Sequence, residues 1–312
     1  MLNDGTGLDK IARLATTRST MSKHRLAVWP QYLLPKTALT RLAGKVAGAE
    51  RGASTTRLIR WFVGRYGVDM SEAAEPDVAA YASFNDFVTR ALKPGARPLA
   101  QADLVCPVDG AISQFGRIRG DQIFQAKGHD YGTQALLGGD AALASGFDDG
   151  YFATLYLSPK DYHRIHMPCA GRLRRMIHVP GALFSVNPTT ARGVPGLFAR
   201  NERVVCVFEG PHGRFVRVLV GATLVGSMAT VWHGVVNPPR PGTPREWRYE
   251  EGAVELAQGA EMGRFLLGST VVLLFPPGGL QFNPAWMPGG AIRMGAMMAR
   301  RWVTRAAAPC RT

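Results

Sequence analysis

Beyond the turn Lys93-Pro94-Gly95, glycine and proline divide the chain into short apolar or alternating runs, and this punctuation constrains the fold more than any other feature. The runs are Ala111–Ile118, Tyr151–Leu157, Leu173–Val179, Val204–Glu209, Phe215–Leu219, Leu224–Val231 and Thr270–Phe275. Short runs bounded by turn formers read as strands, and several in succession require a mainly antiparallel core, a sandwich or barrel. With 312 residues and 46% hydrophobic content, the chain has enough apolar material to bury such a core. No internal repeat or low-complexity linker breaks the pattern.

The first 95 residues follow a different period. Residues before about 20 are polar and are expected to be loosely ordered. Trp29, Tyr32, Leu33 and Leu34 then form an apolar-aromatic segment around Pro30 and Pro35, suited to an interface or to packing on the core. Thr37 is read as the cap of a helix with Leu39, Leu42, Ala43 and Val46 on one face and Arg41 and Lys45 on the other. A second helical pattern runs through Leu58, Ile59, Phe62, Val63 and Tyr66, with Arg57, Arg60 and Arg65 on its polar side. A third helix starts at Ser83, where Ser83 and Asp86 resemble a capping box, and is expected to run to about Leu92. The fold class is therefore α+β: a helical, basic region over 1–95, then a β-rich, sandwich- or barrel-like core over 96–312.

A formal charge of +14 calls for an anionic partner. The early basic residues interleave with large apolar ones, a pattern that fits an anionic lipid surface rather than nucleic acid. Cys106, Cys169, Cys206 and Cys310 are widely spaced, which argues against a zinc ribbon or disulfide framework and for a reducing compartment. No stretch has the apolar length to span a bilayer, and Met1-Leu2-Asn3-Asp4-Gly5 lacks the features of a signal peptide. The expected location is peripheral, on the cytoplasmic face of the cell membrane.

Three constellations carry chemistry. Leu266-Leu267-Gly268-Ser269-Thr270 places a serine at the mouth of an apolar strand, after a residue with no side chain to hinder approach to its carbonyl. Given strain and a base, Ser269 can attack the Gly268 carbonyl to form an ester. β-Elimination then leaves dehydroalanine, which hydrolyses to a pyruvoyl group. Gly-Ser-Thr at a strand start is structural in most proteins, so the motif alone decides nothing. His163 and His166, three apart, suit a base, a metal pair or a loop; no further ligands for zinc are evident, and no metal is expected. Asp109-Gly110 supplies an orienting acid or an ordinary hairpin turn.

Taken in chain order, these blocks resemble one family. Cys106-Pro107-Val108-Asp109-Gly110, Ala126-Lys127-Gly128, Tyr156–Pro168, Gly181–Pro188, Leu197–Val204 and Leu267-Gly268-Ser269-Thr270 are similar to bacterial phosphatidylserine decarboxylase, a pyruvoyl-dependent proenzyme family. The likeness covers roughly Ser83 to Arg300 and extends more loosely through Trp29–Pro35 and the following helices. The Tyr-His-Arg-Ile-His and Leu-Gly-Ser-Thr blocks in that order are highly specific. The resemblance implies that Ser269 is the nucleophile of self-cleavage, His166 its base and Asp109 the acid holding the imidazole. It implies a large chain 1–268 and a small pyruvoyl chain 269–312, paired as a heterodimer, and leaves homo-oligomerisation open. The pyruvoyl group at Ser269 would form a Schiff base with phosphatidylserine and give phosphatidylethanolamine and carbon dioxide. His163 is the local candidate for proton donor. Phe184–Pro188 and Asn201-Glu202-Arg203 also match, as substrate contacts or as scaffold, with Glu202-Arg203 read as a surface pair in the second case. Ala296 stands where an acidic residue is common in the family, and the tail Arg300–Thr312 departs from its pattern.

Two alternatives remain at this level. A serine hydrolase would use the same residue types, but the Gly-x-Ser-x-Gly elbow and alternating strand–helix order are missing. A non-catalytic lipid-binding β protein accounts for the charge but not for the convergence of Asp109, His166 and Gly268-Ser269.

Overall fold

The computed structural model describes residues 26–223, 227–238, 240, 242–266 and 269–301. The polar start, Leu267, Gly268, Cys310 and the tail beyond Arg301 lie outside the described residues.

The punctuated runs become strands. The principal ones are β1 (Gly110–Arg117), β2 (Tyr151–Leu157), β3 (Arg164–His166), β4 (Gly171–Val179), β5 (Arg203–Gly210), β6 (Gly213–Val220), β7 (Glu261–Phe265) and β8 (Ser269–Phe275). Within the run Leu224–Val231 only Met228–Thr230 is a described strand. A nine-stranded antiparallel sheet runs in the order Arg245–Arg248, β4, β5, β6, β8, β2, β1, Ala291–Ile292, with Glu255–Leu256 also on β4. The order is linear, so the expectation of a barrel is corrected to an open sheet: its two outermost strands lie at opposite ends and do not meet. Met228–Thr230, β7 and β3 belong to a separate four-stranded sheet.

β8 is central and buries all seven residues. Side chains alternate across a strand. Val272 and Leu274 join a core with Phe152, Phe198 and Val218, while Val271, Leu273 and Phe275 join another with Leu157, Ile165, Phe208 and Phe265. Both faces of the sheet are thus covered, and the apolar continuity of β8 in sequence is explained. Cys106, Cys169 and Cys206 are buried, unbridged thiols, which burial pushes up to about 12.

The N-terminal elements are α1 (Pro30–Leu33), α2 (Lys36–Ala47), α3 (Ala53–Tyr66) and α4 (Phe84–Val88). None of the described helices is long and apolar enough to cross a membrane. Phe62 of α3 meets Phe84 edge-on at 5.0 Å and Phe87 at 5.9 Å, the centre of a third apolar cluster. Two helix ends differ from expectation. Pro35 takes the cap position of α2 without a side-chain bond, so Thr37 lies inside the first turn. Ser83 and Asp86 form the capping box, but α4 stops at Val88 rather than Leu92. Beyond it the backbone turns to other partners: Thr89 O accepts from Arg164 Nε, Ala91 O accepts from Ala74 N, and Leu92 bridges Ala73. Two residues of the expected apolar face of α2 point outward, while Leu39 and Ala43 are half-buried. Leu42 is 61% and Val46 40% exposed, whereas the residues α2 buries are Thr40 and Ala47.

Gly110 shows how closely β1 and β2 approach. Its φ is +154°, and a Cβ there would lie 2.2 Å from the Tyr156 carbonyl oxygen. Gly110→Ala is expected to destabilise the chain by about 3 kcal/mol or more, through strain and overpacking together. Thermal melting against the parent chain checks this; an unchanged midpoint contradicts it.

Candidate active site

Register gathers the candidate residues at one end of three neighbouring strands. Ser269 opens β8 opposite Leu157, the last residue of β2. Ala111, two residues after Asp109, pairs with Tyr156 on the other side of β2. The chain leaves β2 through Ser158–His163 and enters β3, which pairs with β7, the strand leading to Ser269. The Phe265 amide donates to the His163 carbonyl at 3.0 Å, and the His166 amide to the Pro107 carbonyl at 2.8 Å. Asp109, His163, His166 and Ser269 are therefore brought to one region by backbone pairing alone.

Ser269 is fully buried, and its Oγ has no hydrogen-bond partner among the described residues. By strand alternation it shares the face of Val271 and Leu273. A buried hydroxyl without a partner costs free energy.

The two histidines are held alike. His163 Nδ1 lies 2.6 Å from the Asp161 carbonyl oxygen, and His166 Nδ1 lies 2.8 Å from the Gly259 carbonyl oxygen. A carbonyl only accepts, so in each neutral ring Nδ1 carries the hydrogen and Nε2 is the basic nitrogen. His163 Nε2 is buried and unpartnered, an acceptor without a donor. His166 Nε2 faces the Tyr162 hydroxyl at 3.0 Å, and the two rings stack at 5.6 Å. Burial lowers both imidazoles, His163 to about 4. The loop that aims His163 is itself clamped, since Asp161 Oδ2 accepts from both the amide and the hydroxyl of Ser158 at 2.7 Å.

Asp109 has other partners than an imidazole. Its carboxylate receives Arg97 Nε at 2.9 and 3.1 Å, Arg97 Nη2, and the Met294 amide at 2.8 Å. Arg97 is shared with Glu72. No hydrogen bond joins Asp109 to His166, or His166 to Ser269, among the described residues. Asp109, Arg97 and Tyr162 line a cleft of about 460 Å³ beside β1 and β2.

Arg97, Tyr162 and Arg217 escaped the reading of the sequence as site residues. Arg217 is fully buried on β6, donates to the His166 carbonyl oxygen, and has Nε and Nη2 unpartnered. Burial lowers this guanidinium to about 9. The only sequence signal was an arginine interrupting an apolar run. Residues of two other matched blocks, Phe184–Pro188 and Asn201-Glu202-Arg203, have structural partners. Asn187 Oδ1 caps the helix Pro188–Gly193 through the Thr190 amide, and Asn201 bonds both backbone groups of Phe184. Glu202 and Arg203 are not a surface pair but buried residues at 1% and 3% exposure. Glu202 binds His178 and Arg240, while Arg203 donates to Leu136, Asn201 and Ala135 carbonyls.

A sequence model described as phosphatidylserine decarboxylase matches residues 84–300, and a second, described as PSD, matches residues 26–67. The chain belongs to the phosphatidylserine decarboxylase family. It is 76% identical over 277 residues to the phosphatidylserine decarboxylase proenzyme of Albidiferax ferrireducens, covering 89% of this chain and 98% of the relative. The corresponding proteins of Azoarcus sp. and Variovorax paradoxus are 75% and 74% identical, each over 88% of this chain and covering 95% and 97% of the relative. The family match spans the helical region as well as the sheet that carries Asp109, His163, His166 and Ser269.

The lowered His163 imidazole has a measurable consequence. Unfolded, the ring binds a proton below its ordinary value of 6.5; folded, it does so only below about 4. The unfolded state holds more protons in that window, so stability falls as pH drops from 6.5 to about 4, by on the order of 3 kcal/mol. Urea unfolding of a Ser269→Ala chain across that range is expected to show this loss, and the same chain with His163→Gln is expected to lack that part of the slope.

Proposed function

We propose that this chain is a proenzyme that cuts itself between Gly268 and Ser269 and then decarboxylates phosphatidylserine to phosphatidylethanolamine. Membership of the family supports the reaction class. The observation that carries the site is the buried, unpartnered Ser269 hydroxyl at the head of β8, in the region of two histidines with basic Nε2 atoms.

In the proposed cleavage, Ser269 Oγ attacks the Gly268 carbonyl carbon, and the peptide C–N bond breaks to leave an ester. A histidine takes the hydroxyl proton and returns it to the departing nitrogen. Removal of the Ser269 Cα proton then expels the Gly268 carboxylate by breaking the Cβ–Oγ bond, and water converts the resulting enamine to a pyruvoyl group with loss of ammonia. His166 is the proposed base and Asp109 the proposed acid behind it. The partners of Asp109 and Tyr162 must rearrange for that relay to close. The unpartnered Nε2 of His163 favours a second reading in which His163 serves Ser269 directly.

A pyruvoyl group at position 269 supplies the carbonyl electron sink on which decarboxylation of an α-amino acid depends. Around it this chain contributes apolar surroundings on the Val271–Leu273 face and a histidine to deliver a proton to the substrate carbon. His163, fixed by Asp161, takes that role in the proposal.

The lipid substrate calls for an interfacial enzyme. Leu26, Trp29, Leu33, Leu34, Leu42 and Trp61 are exposed on the N-terminal helices beside Arg41, Lys45, Arg57, Arg60 and Arg65. Together they support peripheral binding to the cytoplasmic face of an anionic membrane. In about 0.5 M salt, where the Debye length is roughly 4 Å, vesicle binding is expected to weaken without vanishing, because the apolar part is not screened. Loss of all binding in a sedimentation assay would leave only the electrostatic part.

Intact-mass measurement tests the central claim. Wild type is expected to give chains 1–268 and 269–312, the second with a blocked N-terminus; Ser269→Ala is expected to remain whole and inactive. His163→Ala is expected to cleave yet lose at least about 100-fold in turnover. Failure of His163→Ala to cleave, with cleavage retained in His166→Ala, would assign the base to His163. A wild-type chain that stays whole overturns the function.

A further inference from the structure

We infer that the groove between α2 and the Ser227–Leu266 edge binds the phosphodiester of the phospholipid substrate, with Arg41 and Lys45 on its oxygens. This rests on the proposed decarboxylation and adds to it where the headgroup enters.

The groove has a volume of about 590 Å³, within the range that accommodates a small ligand or lipid headgroup. One wall is α2, which contributes Arg41, Leu42 and Lys45. The opposite wall includes Leu266, three residues before Ser269, whose amide donates to the Ser227 carbonyl at 3.1 Å. A ligand in this groove therefore lies against the segment that leads into the reactive position.

Charge distinguishes it from the cleft at Asp109. The cleft at Asp109 is lined by four cations and four carboxylates, which balance. The groove at α2 has Arg41, Lys45 and Arg240 and no acidic side chain among its described lining residues. Arg240 is neutralised from below by buried Glu202 at 2.8 Å. Neither Arg41 nor Lys45 has a hydrogen-bond or ion-pair partner among the described residues, so the positive excess belongs to these two. A cleft near Lys127 and Arg192 is also basic, but it includes no residue of the β7–β8 segment, and Arg192 Nε is turned to the Pro188 carbonyl.

The remaining groups suit the rest of the molecule. Leu42, 61% exposed on the same turn of α2, offers an apolar surface for the glycerol and first acyl carbons. Unpaired cations and an apolar rim thus occur in one groove, which is the chemistry that takes a phosphodiester at the foot of its acyl chains.

The test uses Arg41→Gln, Lys45→Gln and Arg41→Lys in the full chain, with a short-chain phosphatidylserine kept monomeric in solution. Each glutamine variant is expected to raise KM about tenfold, the loss of one charge-assisted hydrogen bond. In both, kcat should stay within about twofold of wild type, because no reacting atom is touched. Arg41→Lys should recover most of the loss, and both glutamine variants should self-cleave normally by intact mass. Arg119→Gln, an exposed cation elsewhere, should leave KM unchanged. An unchanged KM on dissolved substrate overturns the inference, as does an increase seen only on anionic vesicles, which would make Arg41 and Lys45 surface anchors. Failure of the variants to self-cleave also overturns it. If wild type cleaves and decarboxylates, those outcomes remove the groove assignment alone; if wild type does neither, the function on which it rests is lost too.

Discussion

The antiparallel pairing of β8 with β2 is the constraint from which the rest of the site follows. It sets Ser269 opposite Leu157 at the end of both strands, and the same β2 carries β1 on its far side. A shift of one residue would turn Ser269 toward the other face of the sheet and exchange two apolar cores at once. With Val271, Leu273 and Phe275 packed on one side and Val272 and Leu274 on the other, such a slip is strongly disfavoured. The position of a single hydroxyl is thereby enforced by the burial of an entire strand.

Around that frame the protein tolerates several costly polar arrangements. Ser269 Oγ, His163 Nε2 and two nitrogens of Arg217 are buried without partners among the described residues. Each costs free energy that ordinary packing does not recover. They lie near β3, β6 and the start of β8, while Asn201 and Arg203 have their hydrogen bonds to the backbone made. The desolvation that makes these groups expensive also keeps both imidazoles neutral, with Nε2 as the lone-pair nitrogen.

The helical region completes the picture in a different way. Its apolar cluster around Phe62 anchors α3 and α4, but α2 turns Leu42 and Val46 outward. A helix that leaves Leu42 and Val46 in water offers an apolar surface that the core does not use. Contacts of Gln31 with Ser185 and Thr190 tie α1 to the segment around the helix Pro188–Gly193.

Strand identity was legible from sequence because β-branched runs between glycines leave few other options, and β2 and β8 were placed to within a residue. The family and its reaction class were legible from short blocks in a fixed order. Helix ends were less so: α4 stops early because the Thr89 and Ala91 carbonyls are drawn to Arg164 and Ala74, partners remote in sequence. The sheet's openness, the Arg97 clamp on Asp109, the Tyr162 hydroxyl on His166 and the burial of Glu202 all arose only in three dimensions. Composition and local periodicity determine which segments become strands and helices, since those depend on neighbours along the chain. Which nitrogen is free, which carboxylate is already paired and which helix face meets water depend on groups up to 221 positions apart, as for Glu72 and Arg293, and only the tertiary structure decides them.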